Sequence, residues 1–289
     1  MAKKPRKLKI EALGALLLTL LPACSSEEKL PARAGASASP VLRSGGPPQA
    51  GGASGHLRPE GLTIEARFIP PEGFERVLLQ ANSFSAYLRS LPLKPAGTKV
   101  RYFDGREKDP AGVYDAVVDL SLGRQDLQQC ADAVIRLRAE YLYARRMYDQ
   151  IHFNFLRDGR PRAYLDLVGA DRSYAAFLRY LNHIFAWANT ASLAAELAPV
   201  GDVRQMEVGH VFIRPGRPYG HAVIVVDLAV RPGSGQKVFL LAQSYLPAQD
   251  IQILKNPDDP ALSPWYKTDF EGPLITPEWV FEKTDLRKF

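Results

Sequence analysis

Apolar residues recur at two spacings along the chain, and these spacings separate the predicted helices from the predicted strands. From 125 to 143 they recur every three or four residues, which predicts an amphipathic helix with Cys130 on its apolar face. Asp126 is the predicted N-cap, because a short carboxylate can satisfy the free N–H groups of a first turn. A second helical pattern covers residues 174–197.

Apolar runs separated by turn residues follow in the last third of the chain. Three of them, rich in β-branched and aromatic residues, predict neighbouring strands: Val211–Ile213, Ala222–Asp227 and Val238–Tyr245. Pro232–Gly235 predicts a hairpin turn between the last two. Short strands are also predicted over 62–120. Because helices and strands fall in separate runs, the sequence predicts a single α+β domain with an antiparallel sheet from 208 to 254.

Residues 1–23 carry an export pattern. A basic start precedes the apolar run Ala12–Leu21, which has about 10 residues against the roughly 20 that span a bilayer and is typical of a signal peptide. Leu21–Cys24 resembles the lipobox of bacterial lipoproteins, whose cysteine is lipidated. The resemblance implies a lipid anchor on Cys24, and Ser25 implies the outer membrane, facing the periplasm or the cell surface. An ordinary secretory signal with a coincidental cysteine, or a retained membrane anchor, is the alternative.

Residues 25–60 contain 23 Gly, Pro, Ser or Ala residues and no aromatic residue. Such a segment buries too little apolar surface to offset the entropy of ordering it. We therefore predict a flexible tether from Cys24 to residue 60 and a globular domain over 61–289.

The net charge of +6 would suggest a nucleic-acid partner if it were spread over the folded part of the chain. Residues 1–23 carry a net charge of +4, whereas the rest of the chain has 32 basic and 30 acidic side chains. The body is therefore nearly neutral, and the charge gives no argument for nucleic acid. A composition of 46% apolar and 24% charged residues also excludes collagen-like, wholly disordered and polytopic membrane proteins.

With Cys24 assigned to lipid, Cys130 is the single cysteine of the exported body. It has no partner for an internal disulfide, and oxidising compartments usually select against a lone thiol. Two interpretations remain: a small buried hydrophobic residue, or a nucleophile. Its apolar helical face favours the first. Its place near a helix start, where free N–H groups stabilise a thiolate, favours the second.

His221 is the histidine best placed to act with Cys130. It follows Gly220 and opens a strand, so its ring should lie at one end of a sheet. Gln243 on the next strand would lie beside it and orient the imidazole, although each of these polar residues is also consistent with a structural role. Because zinc-site spacing and a phosphate-binding glycine loop are both lacking, the sequence predicts no metal site and no cofactor.

The order of these residues resembles that of papain-like cell-wall enzymes. A cysteine at a helix start, a Gly-His pair opening a strand and a polar residue on the next strand occur in NlpC-type peptidases, and Gln129-Cys130 is similar to the Q-C pair of CHAP amidases. The resemblance implies a papain-like domain in which the cysteine-bearing helix packs on an antiparallel sheet. It also implies that Cys130 is the nucleophile and His221 the general base. Gln243 would orient that base, and Gln129 would lie near the oxyanion.

Residues 62–289 also resemble a domain-of-unknown-function family of exported bacterial proteins. The matching segments are Gln129–Asp132, Gly220–Asp227, Gln243–Gln249 and Thr276–Trp279. Amide and aromatic residues are concentrated in Gln243–Gln249 and Ser263–Tyr266. These either line a groove for glycan or peptide, with Tyr245 and Trp265 against the substrate, or form packed loops.

The sequence thus predicts a lipid-anchored thiol hydrolase of the cell envelope that cleaves an amide bond in peptidoglycan or an envelope peptide. A non-catalytic envelope binding or assembly lipoprotein is the alternative, and a thioesterase or acyltransferase acting on lipid is a third hypothesis.

Overall fold

A nine-stranded antiparallel sheet organises the chain that the computed structural model describes, residues 55–108 and 112–289. The strands of the described residues, in chain order, are β1 (Glu75–Arg76), β2 (Tyr114–Val117), β3 (His152–Asn154), β4 (Pro161–Ala163), β5 (Ala198–Pro199), β6 (Val211–Arg214), β7 (His221–Val230), β8 (Lys237–Gln243), β9 (Gln252–Leu254), β10 (Tyr266–Lys267), β11 (Leu274–Ile275), β12 (Val280–Phe281) and β13 (Leu286–Lys288). Four of them lie outside the nine-stranded sheet: β3 pairs with β4, and β11 pairs with β12. The order in the sheet is β2–β9–β8–β7–β6–β13–β5, with β1 added to β7 and β10 added to β8.

The centre of the sheet is also the centre of the core. In β7 every residue from His221 to Ala229 is buried, and in β8 every residue from Val238 to Gln243 is buried. Such continuous burial explains the unbroken run of β-branched residues in β7, since neither face of the strand meets water. The predicted antiparallel sheet over 208–254 is confirmed, as is the hairpin turn, where Gly235 N donates to Arg231 O.

The helices lie between and around these strands. They are α1 (Ile64–Arg67), α2 (Phe84–Arg89), α3 (Cys130–Ala144), α4 (Tyr164–Val168), α5 (Tyr174–Trp187) and α6 (Thr190–Glu196), with short 3₁₀ turns at Tyr148–Gln150, Val203–Gln205 and Lys283–Asp285. The 15-residue helix α3 packs against β7 and β8, and α2 packs against β7. The described part of the chain is therefore one α+β domain with helices packed on a mainly antiparallel sheet.

Two predicted helix boundaries were wrong. The N-cap of α3 is Gln129, and the Asp126 carboxylate instead accepts hydrogen bonds from Gln129 Nε2 at 3.1 Å and Ala248 N at 2.7 Å. The predicted helix over 174–197 is two helices, because the Asn189 side chain accepts from the backbone N–H groups of Ala191 and Ser192 and begins a new helix there.

The N-terminal part also differs in detail from the prediction. Residues 62–120 contain the helices α1 and α2 as well as short strands. Residues 56–58, assigned above to the tether, already pair with the domain, since Arg58 N donates to Arg67 O and Ile69 N donates to His56 O. No helix within 55–108 or 112–289 is long and apolar enough to cross a membrane.

Candidate active site

His221 and Gln243 meet at one end of the two central strands. The register pairs Ile224 of β7 with Ala242 of β8, which brings the first residue of β7 near the last residue of β8. His221 Nε2 lies 2.8 Å from Gln243 Oε1, and both side chains are buried. The pairing predicted from the strand order is therefore present in the structure.

A carboxylate fixes which way the Gln243 amide points. Gln243 Nε2 lies 2.6 Å from Glu278 Oε2, and the same oxygen lies 2.6 Å from Lys108 Nζ. An ionised carboxylate only accepts hydrogen bonds, so the amide nitrogen of Gln243 must face it and the amide oxygen must face the imidazole. His221 Nε2 is therefore the protonated nitrogen, and its Nδ1 carries the lone pair.

Burial keeps this imidazole neutral at physiological pH. It lowers the pKa of His221 from 6.5 to about 4, the Gln243 hydrogen bond opposes the shift, and the charge of Lys108 adds to it. A neutral imidazole with an unprotonated Nδ1 is the form that accepts a proton.

Cys130 lies beside the backbone that carries His221. It is the first residue of α3, and its Sγ lies 3.7 Å from the carbonyl oxygen of Gly220. Burial, followed by the charge of Asp132, raises the pKa of the thiol to about 12, whereas the backbone N–H groups of Ala131, Ala222 and Cys130 lower it. The resting cysteine is thus a protonated thiol that is 9% exposed.

The thiol and the imidazole share no hydrogen bond in this structure; they are related through Gly220, which precedes His221 and whose carbonyl oxygen lies 3.7 Å from Sγ. Cys130 Sγ donates to Gly220 O and lies near the backbone N–H groups of Ala131 and Ala222, whereas His221 bonds through Nε2 to Gln243. Nδ1 of His221 is therefore the nitrogen of this imidazole that remains able to accept a proton.

Aromatic side chains surround the imidazole. The Tyr245 ring meets it edge-on at 4.9 Å between centroids, the Trp279 ring lies at 5.3 Å and the Phe281 ring at 5.9 Å. Phe281 is fully buried, whereas Tyr245 and Trp279 are half-buried and present part of their surface to solvent. These two rings have the shortest centroid distances to the imidazole.

The residues predicted to contact substrate fall in different places. Gln129 is the half-buried N-cap of α3, next to Cys130, and Tyr245 contacts His221. Trp265 is fully buried, its indole N–H donates to Ile69 O at 2.8 Å, and it precedes Tyr266, which pairs with Phe239 toward the far end of β8 from Gln243. The structure does not bring Trp265 to the group around Cys130, because β10 pairing draws it into the core.

Three residues of this group were missed by the sequence analysis: Lys108, Glu278 and Trp279. Glu278 and Trp279 belong to the Thr276–Trp279 segment, which resembles a family motif, so a signal existed but named no role. Lys108 carries no local signal, since it meets Glu278 across 170 positions of sequence.

The group contains no arrangement suited to a metal. Across 55–108 and 112–289, no cluster of three or more His, Cys, Asp or Glu side chains is placed to hold one. Cys24, the predicted lipidation site, lies outside the described residues.

Comparisons with known proteins give a family and no activity. No curated protein and no solved structure matches the chain. Its sequence matches the family described as domain of unknown function (4846) over residues 64–167 and 158–288. Because these matches cover most of the chain, including every residue of the group around Cys130, the chain belongs to the DUF4846 family.

Proposed function

We propose that this protein is a thiol hydrolase of the cell envelope that cleaves an amide bond in peptidoglycan or an envelope peptide. One observation carries the proposal: a hydrogen-bond network leaves Nδ1 of His221 unprotonated, and the backbone carbonyl just before His221 contacts the thiol of a cysteine at a helix start. A histidine with a purely structural role needs hydrogen-bond partners for its ring nitrogens. A general base needs one ring nitrogen fixed by a hydrogen bond and the other unprotonated and able to accept a proton.

The reaction proceeds in two acyl transfers. The Cys130 proton passes to His221 Nδ1 while Sγ bonds to the amide carbon and an electron pair moves onto its oxygen. Collapse of this intermediate breaks the C–N bond, and the imidazolium gives its proton to the leaving amine. Water then attacks the thioester, His221 takes a proton from it and returns it to Sγ, and the acid leaves.

Donors for the oxyanion stand at the start of α3. The backbone N–H of Cys130 belongs to the first turn, where N–H groups have no partner within the helix. Gln129 supplies a second donor, because only one hydrogen of its Nε2 is needed for the bond to Asp126 Oδ1. Tyr245 and Trp279 would flank the substrate.

The pair is uncharged at rest, so attack and proton transfer are coupled. A thiol with a pKa of about 12 and an imidazole with a pKa of about 4 do not form a thiolate–imidazolium pair at pH 7. The exposed segment 215–219 leads into Gly220, whose carbonyl contacts Sγ. Displacement of this carbonyl by substrate would open the thiol to the bound amide.

Location and fold type belong to the same proposal. The lipobox-like segment ending at Cys24 supports a lipid anchor in the outer membrane, facing the periplasm or the surface, with the tether holding the domain away from the bilayer. The order of nucleophile, base and orienting residue, with the cysteine on a helix against antiparallel strands, supports a papain-like kinship.

Digestion of purified peptidoglycan tests the proposal. The full chain should release new amino groups, and both Cys130→Ala and Cys130→Ser should abolish release while keeping the fold, as checked by circular dichroism. Trp265→Phe serves as the control, because it alters an aromatic residue away from the group. Release by Cys130→Ala at the wild-type rate would end the proposal.

A non-catalytic envelope lipoprotein is the second candidate, and the burial of Cys130 favours it. Under that function the thiol is a small core residue, and binding should be insensitive to its loss. Co-sedimentation with purified peptidoglycan decides between the two. Equal binding by wild type, Cys130→Ala and His221→Gln, with no amino groups released by any of them, would favour the binding protein.

A further inference from the structure

Behind Gln243 lies an ion pair, buried at Lys108 and part-buried at Glu278, that takes no direct part in the proposed reaction. Lys108 is 5% exposed, and its Nζ lies 2.6 Å from Glu278 Oε2. Bringing the Lys108 charge out of water is costly, so the pair is weak evidence of a stabilising role. The shared oxygen suggests another role, since Gln243 Nε2 lies at the same 2.6 Å from it.

We infer that Lys108 and Glu278 are positioning residues: together they hold the Gln243 amide in one orientation and thereby hold His221 in the tautomer with Nδ1 unprotonated. The inference rests on the proposed function for its use, since only a proton-accepting Nδ1 needs this control. Neither residue touches Cys130 or the imidazole through a hydrogen bond.

The argument starts from the symmetry of the amide. The two ends of a glutamine amide have nearly the same shape, so packing alone does not choose between them. With its NH₂ toward the imidazole, Gln243 would force His221 Nε2 to accept and would place the proton on Nδ1. That tautomer cannot take a proton from Cys130.

Glu278 determines the orientation of the Gln243 amide, and an ion pair with Lys108 fixes the position of Glu278. The carboxylate accepts only, so it selects the NH₂ end of Gln243. Lys108 is held from a second side when the Gln249 amide is turned so that its oxygen faces donors: it then accepts from Lys108 Nζ at 3.2 Å and from Gln252 Nε2 at 3.0 Å. Lys108 also lies over the Tyr245 ring, 5.6 Å from its centroid.

Removal of Glu278 should invert the tautomer and not merely loosen it. In Glu278→Ala the remaining neighbour is Lys108, which only donates. The Gln243 oxygen then turns to Lys108, its NH₂ turns to His221, and the imidazole proton moves to Nδ1. A purely structural ion pair predicts reduced stability with the tautomer unchanged.

Nitrogen NMR of the full chain, labelled with ¹⁵N-histidine at pH 7, measures this directly. The His221 signals are assigned by their loss in His221→Gln. The wild type should carry its proton on Nε2, Glu278→Ala on Nδ1, and Glu278→Gln, which keeps an acceptor oxygen, should restore Nε2. Lys94→Met, which breaks the Lys94–Asp250 pair at 2.9 Å without touching Gln243, should leave Nε2 protonated.

A folded Glu278→Ala protein that keeps the proton on Nε2 would overturn the inference. If that variant does not fold, Glu278→Met fills the space without an acceptor and carries the same expectation.

Activity gives a separate readout. Glu278→Ala should lower kcat at least about 100-fold with little change in KM, since the wrong imidazole tautomer costs a serine protease about 10⁴-fold. If Glu278→Ala inverts the tautomer but the wild type does not hydrolyse peptidoglycan, the positioning role stands and the proposed function is refuted. Lost activity with an unchanged tautomer would refute the positioning role alone.

Discussion

The strand β7 carries a buried polar network at each end, and the two networks are built differently. Near its C-terminal end, Asp227 is fully buried and its carboxylate is saturated. Oδ2 accepts from Arg76 Nε at 2.7 Å, and Oδ1 accepts from Arg89 Nε at 2.7 Å and from Leu228 N at 2.8 Å. The network ties β1 and α2 to β7.

At the N-terminal end, His221 is just as buried but is bonded on one side only. Its Nε2 is fixed by Gln243, while Nδ1 has no hydrogen-bond partner among residues 55–108 and 112–289. Our proposal accounts for the contrast: the Asp227 network serves the fold, whereas the His221 network leaves Nδ1 able to accept a proton.

The largest effect on stability should follow from removing the carboxylate of the Asp227 network. Asp227→Ala leaves the buried Arg89 and the part-buried Arg76 without their counter-charge, so we expect a loss of about 3–5 kcal/mol in unfolding free energy. Urea denaturation measures it. Asp119→Ala, at an exposed position, should change the value by less than about 0.5 kcal/mol. A loss below about 1 kcal/mol for Asp227→Ala would remove the contrast.

A smaller, pH-dependent effect should mark the His221 network. The folded pKa of about 4 lies below the unfolded 6.5, so between these values the unfolded chain binds a proton that the folded chain excludes. Stability from this group is therefore complete above pH 6.5 and is lost as the pH falls toward 4. On going from pH 7.5 to 5 the wild type should lose about 2 kcal/mol relative to His221→Gln.

Urea denaturation of both proteins at both pH values gives this difference, and other titrating groups cancel in it. A free-energy gap between them that is the same at pH 7.5 and pH 5 would mean that the folded imidazole is not kept neutral by burial.

The smallest effect should follow from a conservative change beside His221. Tyr245→Phe keeps the ring against the imidazole and under Lys108, and it removes only a 3.4 Å hydrogen bond from the hydroxyl to Glu278 O. We expect a change of less than about 1 kcal/mol in unfolding free energy. Tyr245→Ala, which removes the ring as well, should cost clearly more. Equal losses for the two variants would show that the hydroxyl, and not the ring, carries the contact.

Local sequence patterns were enough to predict most of the site's framework. Periodic apolar residues located the α3 helix, and β-branched runs located β7 and β8. Both patterns are local, because burial of one or both faces of an element determines which positions along it are apolar. The hydrogen bond between His221 and Gln243 followed from placing these strands side by side.

What the sequence could not predict depends on contacts between distant segments. Lys108 and Glu278 meet only after the sheet has formed, so no local pattern pairs them. The segment around Trp265 has the composition of an exposed aromatic loop. Trp265 is nevertheless buried in the core, because the next residue, Tyr266, pairs with Phe239. Asp126 has a side chain suited to an N-cap, but its carboxylate oxygen accepts a hydrogen bond from Ala248 N, which lies in a distant loop.

The central claim is that His221 acts on Cys130, and the pH dependence of Cys130 alkylation tests it most directly. The folded full chain is treated with iodoacetamide from pH 5 to 8, and the Cys130 peptide is quantified by mass spectrometry, which keeps Cys24 separate. A neutral base with a pKa of about 4 is available throughout, so we predict a nearly constant rate that falls sharply in His221→Gln.

An isolated thiol with a pKa of about 12 would behave differently, because its thiolate fraction rises tenfold per pH unit. A rate that rises tenfold per unit and is unchanged in His221→Gln would contradict the account and make Cys130 a residue of the core.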